Sequence, residues 1–316
     1  MDTKGYGDCK ALTNYTKALL KAVGVEAHYA LIRAGRNAPD IQVDFPSSQF
    51  NHAVLCVPVQ RDTLWLECTD QNEAAGYAGS FTGGRHALIL TPEGGKMVRT
   101  PSYGADQNLQ RRRAKVQIDA KGNANAQVTT TYTGLQQDVL AKVMEESPEQ
   151  QKKWLYKQVE LPSFEIGAFS FSRKKDRVPS VTETLTLTAP SYGLQSGKRV
   201  FLNANFMNHV TSAPTQTGNR QMDVVTSWSY FDTDTIQYQL PEGSFQVEFA
   251  PENQKISSKF GEYFSSVQVE GNTITYIRTL RMHKGRYPAS AYDELVDFYK
   301  KMVKADKVQV VLVTKT

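Results

Sequence analysis

The chain has 316 residues, of which 40% are hydrophobic and 22% charged, with a net charge of +5; that length supports a large buried core and points to two domains. No apolar run approaches the roughly 20 residues of a membrane-crossing helix, which excludes a helical span, and so small a charge argues against a dedicated nucleic-acid binder. Three cysteines, Cys9, Cys56 and Cys68, are too few and too unevenly spaced for a disulfide framework, so at least one thiol stays free within the chain.

The opening residues carry no apolar signal-peptide core. Chemistry-bearing residues nevertheless begin within the first ten, with no scaffold before them, and the expectation is an N-terminally truncated piece of a longer protein. Residues 10–23 place Leu12, Tyr15, Leu19 and Val23 at helical spacing, with Gly24 just past the end. Residues 25–32 read as a strand and 33–49, rich in Pro, Asp, Ser and Asn, as a long loop. Residues 53–59 and 63–69 are apolar and β-branched, and predict an antiparallel hairpin turning through Gln60, Arg61 and Asp62. A Gly-rich stretch at 76–84 reads as a mobile flap or plain loop, residues 86–90 as a short strand and 92–95 as a turn.

Residues 99–110 are polar and turn-rich and predict a linker between a core at 1–98 and a second domain at 111–316. Beyond the linker, alternating segments at 114–119, 126–133, 180–188, 222–231, 235–240, 244–249 and 273–282 predict a mainly β, sandwich-like domain. Two helices interrupt it, one opened by Ser147-Pro148-Glu149 and one over 290–304, and residues 308–313 close the chain as a strand. The fold class expected is therefore α+β, a helix packed on an antiparallel sheet followed by the β-rich domain.

Cys9 lies at the start of the first helix, where unpaired N–H groups and the helix dipole favour a thiolate, and Gly7 leaves room for a substrate backbone. His52, at the start of a strand, supplies a base that helix-on-sheet packing brings within range. An acid is needed to orient the imidazole, and two compete. With Gln60 and Arg61 at the centre of a two- or four-residue turn, His52 faces Thr69 and shares a side of the hairpin with Glu67; a three-residue turn sets it opposite Asp70.

Gly7-Asp8-Cys9-Lys10, Val23-Gly24-Val25-Glu26-Ala27, Phe50-Asn51-His52-Ala53 and Trp65-Leu66-Glu67-Cys68-Thr69, in that order, resemble the core of bacterial transglutaminase-like proteins over about residues 5–90. The resemblance implies a partial papain-like arrangement with Cys9 as nucleophile, His52 as base and Glu67 as the orienting acid, at a position where the family usually has Asp. Residues 100–316 resemble the β-rich region of unknown function that follows this core in large Bacteroidetes proteins. In such folds one oxyanion-hole donor comes from upstream of the cysteine, which leaves the Cys9 backbone N–H as the identifiable one. The function implied is cysteine-dependent acyl transfer on a peptide or amide, by a peptidase, amidase or transglutaminase-like enzyme. The alternative is a non-catalytic module that binds peptide, glycan or protein. The family's members are typically exported, which implies a periplasmic or cell-surface parent.

No metal or cofactor is expected. His52 and Cys56, four apart on a strand, are separated by roughly 13 Å and do not share an ion. Cys56 and Cys68 read as core residues, and His28, His86, His209 and His283 as isolated ones. The basic runs Arg111-Arg112-Arg113 and Arg173-Lys174-Lys175-Asp176-Arg177 read as solvated turns. The partners expected are a peptide or protein substrate for the core and a carbohydrate or partner protein for the β-domain, with no nucleic acid.

Overall fold

The computed structural model describes residues 5–36, 38–60, 62–216, 218 and 220–315. They divide into two compact units, Met1–Tyr103 with Lys174–Ser180, and Gly104–Arg173 with Val181–Thr316. The fold class is α+β and β-rich. No helix among the described residues is long and apolar enough to cross a membrane.

In the first unit, α1 (Cys9–Ala22) is followed by β1 (His28–Ile32), β2 (His52–Val59), β3 (Asp62–Leu66), the short α2 (Gly79–Thr82), β4 (His86–Thr91) and β5 (Gly94–Arg99). The five strands form one sheet in the order β3-β2-β1-β4-β5, antiparallel throughout. Alternation along β2 sends Val54 and Cys56 to one face, with Ala30, Ile32, Trp65, Ala87 and Ile89, and Leu55 and Val57 to the other, against Leu20 of α1. Asp8 caps the start of α1, its carboxylate accepting from the Ala11 N–H at 2.9 Å. At the far end Gly24 takes a φ of +79°, and the N–H groups of Gly24 and Val25 return to the carbonyls of Lys21 and Leu20.

The stretch at 76–84 is anchored rather than flap-like. Tyr77 is fully buried, the Tyr103 hydroxyl accepts from the Ala78 N–H, and the Gly84 N–H reaches the Pro101 carbonyl. The turn expected at 92–95 is present but tighter, confined to Pro92 and Glu93, because the Thr91 hydroxyl bonds the Gly94 carbonyl and Gly94 already opens a strand that pairs with β4.

The second unit holds β6 (Leu109–Ile118), β7 (Ala124–Thr133), α3 (Asp138–Val143), α4 (Pro148–Gln158), β8 (Glu165–Lys174), β9 (Ser180–Ala189), β10 (Leu194–Ser196) and β11 (Arg199–Asn203). There follow β12 (Val224–Thr226), β13 (Tyr230–Gln239), β14 (Phe245–Phe249), β15 (Gln254–Ser258), β16 (Gly261–Glu270), β17 (Thr273–Met282), β18 (Gly285–Tyr287), α5 (Tyr292–Asp306) and β19 (Gln309–Thr314). An eight-stranded sheet runs β15-β16-β17-β13-β6-β7-β9-β8, and a four-stranded sheet runs β10-β11-β19-β14. Val116, Val128, Ile236 and Tyr276 of the large sheet pack in one core with Val200, Leu202, Val310 and Leu312 of the small one. A second core joins Phe260, Tyr263, Leu280 and Met282 to Leu295, Phe298 and Met302 of α5.

Between these two cores runs a row of buried charges, and here the reading of Arg111-Arg112-Arg113 as a solvated turn is corrected. The three arginines sit inside β6, where alternation exposes Arg111 and Arg113 and buries Arg112. Cross-strand register aligns Arg278 with Asp234, and Asp234 with Arg112. Asp234 receives Arg112 at 3.4 Å on one oxygen and Arg278 at 3.3 Å on the other. Arg278 also grips Asp306, the last residue of α5, with Nε at 2.9 Å and a terminal nitrogen at 3.2 Å. By contrast, Lys175 to Arg177 do form an exposed turn between β8 and β9, although Arg173 and Lys174 are the last residues of β8.

Glu183 and Asp232 lie buried near this row. Burial, partly offset by Arg112, pushes the Glu183 carboxyl up to about 7, and burial pushes Asp232 up to about 6. Over that range the folded state holds protons that the unfolded chain, with ordinary carboxyl values near 4, has released, so stability falls as pH rises from about 4.5 toward 7. Glu183→Gln is expected to remove up to about 3 kcal/mol of that fall between pH 5 and 8, read from urea midpoints. An identical pH dependence in both proteins would contradict the buried, protonated Glu183.

Candidate functional site

The site grows from the start of β2, an interior strand of the first unit's sheet. The Asn51 side chain accepts from the Ala34 N–H at 2.7 Å and donates to its carbonyl at 3.0 Å, which fixes the chain entering the strand. Val59 pairs with Asp62, so the hairpin turns on two residues. Gln60 takes the positive φ, 44°, that such a turn needs, while Arg61 lies outside the described residues. Continued past Leu55–Leu66, that register brings Thr69 opposite His52 and sets Glu67 on the same side of the hairpin.

The side chains meet accordingly. His52 Nε2 lies 2.8 Å from Glu67 Oε2, and both side chains are nearly enclosed, at 9% and 10% exposure. The other carboxylate oxygen accepts from the Thr69 N–H at 3.0 Å and from its hydroxyl at 2.5 Å. Burial by itself raises the Glu67 carboxyl, but the hydrogen bonds from His52 and Thr69 and the imidazole's charge outweigh it and hold the group below its ordinary value. Asp70 turns elsewhere, accepting the Asn72 N–H at 2.9 Å. The ring of Phe81, in α2, stands edge-on to His52 with centroids 5.2 Å apart.

Cys9 is the first residue of α1 and is partly exposed. One helical turn along, the buried Thr13 hydroxyl donates to the carbonyl of Ala53, the neighbour of His52, at 3.1 Å. That bond ties the first turns of α1 to the start of β2. His52 and Glu67 are brought into contact, and among the described residues no hydrogen bond joins the Cys9 thiol to His52. Burial raises the thiols of Cys56 and Cys68.

Two contributors escape the sequence. Thr69 fixes Glu67 from two residues away, which no motif signals, and Phe81 reaches His52 from a loop whose glycines carry the only local pattern. Of the four histidines read as isolated, three have an acidic neighbour. His86 meets Asp40 at 2.8 Å beside Arg99, His28 lies 3.4 Å from Glu26, and the partly buried His209 lies 3.9 Å from Glu160.

Residues 198–312 match a family described as a domain of unknown function with a solved structure, DUF3858. That match falls within the second unit. The chain is also similar to the crystal structure of a protein from Parabacteroides distasonis ATCC 8503 described as a "putative protease", at 14% identity and a TM-score of 0.51. The similarity covers 98% of this chain and 45% of that one, so this chain spans less than half of its relative's length. At such identity the likeness is one of fold. No curated protein matches the chain.

Glu67→Gln is expected to cost about 1.5–3 kcal/mol at pH 7, the usual worth of a hydrogen bond to a charged group. Because the folded-state carboxyl is depressed, its contribution is complete above the unfolded value and disappears as pH falls through the folded one. Denaturant midpoints of the two proteins should therefore converge in acid; a gap that persists there would assign the loss to packing.

Proposed function

We propose that the first unit carries cysteine-dependent acyl transfer on peptide or amide substrates, with Cys9 as nucleophile, His52 as base and Glu67 as the group that orients the imidazole. The observation that carries this reading is the enclosed His52–Glu67 contact. With Nε2 bound to the carboxylate, Nδ1 is the nitrogen left to exchange a proton with a thiol. The position of Cys9 at the N-terminus of a 14-residue helix supports it as well.

In this mechanism His52 takes the thiol proton, and the thiolate attacks the amide carbonyl to form a carbon–sulfur bond. The imidazolium then protonates the leaving amine as the carbon–nitrogen bond breaks, leaving a thioester. Water resolves the thioester to an acid and the free thiol, as in a peptidase or amidase; an amine resolves it to a new amide, as in a transglutaminase. The relative described as a "putative protease" favours hydrolysis. The papain-like, transglutaminase-like character of the core, the division at a 99–110 linker and a periplasmic or cell-surface place for the parent protein belong to the same proposal.

The absence of a hydrogen bond between Cys9 and His52, among the described residues, favours a second reading, a binding module with a degenerate core. Iodoacetamide labelling, resolved by peptide mass spectrometry, separates the two. In the acyl-transfer reading Cys9 labels rapidly below pH 7 while Cys56 and Cys68, raised by burial, lag behind. His52→Ala should slow the labelling of Cys9 at that pH by about tenfold or more, since the thiolate is the reactive form and loses its base. Labelling of Cys9 that follows an ordinary thiol, indifferent to His52, selects the binding module.

A further inference from the structure

We propose that a cavity in the second unit binds a small amphiphile, an apolar chain ending in a carboxylate. The cavity has a volume of about 610 Å³, within the range of roughly 300–1,000 Å³ typical of small-molecule sites. Its apolar walls come from Leu161, Pro162, Tyr192, Leu194, Phe201 and Val210.

The polar groups of the lining are mostly spent on the protein itself. The Tyr192 hydroxyl donates to the Asn203 carbonyl at 2.5 Å, and His209 Nε2 lies 2.6 Å from the Asn205 carbonyl. Asp306 is gripped by Arg278 and also accepts from the Tyr263 hydroxyl and the Val210 N–H. Glu160 faces the other nitrogen of His209 at 3.9 Å. What remains for a ligand is carbon surface, the uncharged polar side chains of Ser163, Ser191, Thr211 and Gln309, and one cation. Lys307 is exposed, lines the cavity and has no acidic partner among the described residues.

Those features select the ligand class. Each methylene placed against the walls contributes about 0.8 kcal/mol, so a medium-length chain supplies the affinity. The charge of Lys307 sets the sign of the head group, since the Asp306 carboxylate is already paired with Arg278 and the Glu160 carboxylate is turned toward His209. A cationic amphiphile meets Lys307 as a like charge, and a neutral one leaves it unpaired.

The test titrates the whole chain with decanoate, 1-decanol and decylamine by calorimetry. Decanoate should bind about tenfold more tightly than decanol, the equivalent of roughly 1.4 kcal/mol, and decylamine most weakly. Lys307→Gln should bring decanoate to the level of decanol while leaving decanol unchanged. Leu194→Asp, at a wall position 61% exposed and so tolerant of the change, should weaken decanoate and decanol alike. Circular dichroism and urea midpoints check that both variants fold. Decylamine binding as tightly as decanoate, decanoate binding untouched by both variants, or no saturable binding at millimolar decanoate would each overturn the proposal.

Discussion

The two-pronged contact between Arg278 and Asp306 organises the second unit. Arg278 stands on β17 between Tyr276, which belongs to the core under the small sheet, and Leu280, which belongs to the core under α5. Asp306 is the last residue of α5, three residues before β19 enters the small sheet. A guanidinium at 1% exposure has no water to solvate it, so its carboxylates must stand where its rigid fork points. The helix end and the strand after it are held to one place on the large sheet. The same demand passes along the row, since Asp234 holds both Arg278 and Arg112.

In the first unit the corresponding constraint is backbone register. A hairpin whose side chains alternate sides allows one spacing that puts His52 and Glu67 together, and a turn one residue longer would aim Asp70 there instead. Val59 opposite Asp62 settles the matter locally. Thr69 then completes the carboxylate's hydrogen bonds, which matters because an enclosed carboxylate with idle oxygens would favour its neutral form. Orientation of the imidazole thus rests on a turn eight residues from His52.

Several features were legible in the residues. The 3.6-residue period and Gly24 marked α1, Ser147-Pro148 marked the start of α4, and strict alternation over 273–282 marked β17 with its observed ends. Other strands escaped for identifiable reasons. Gly261–Glu270 is interrupted by Ser265 and Ser266, and Glu165–Lys174 is largely exposed, so apolar alternation in each is confined to a short stretch, Val267 with Val269 and Phe169 with Phe171. Arg111-Arg112-Arg113 was illegible as a strand because three like charges in succession are ordinarily a solvated feature, and the carboxylate that pairs the middle one, Asp234, lies more than a hundred residues away.

What the sequence by itself determined was local: helix ends, turn residues, the identity of a cysteine at a helix start and of a histidine at a strand start. These follow from rules that act within one turn or one hairpin. Tertiary structure decided the carboxylate that meets His52, the aromatic ring beside it, the neutralisation of Arg112 by Asp234, and the cavity lined from residues 160 to 309. Those outcomes depend on register and on contacts between distant strands, where a shift of one residue reverses every side chain, and no local pattern of residues encodes that choice.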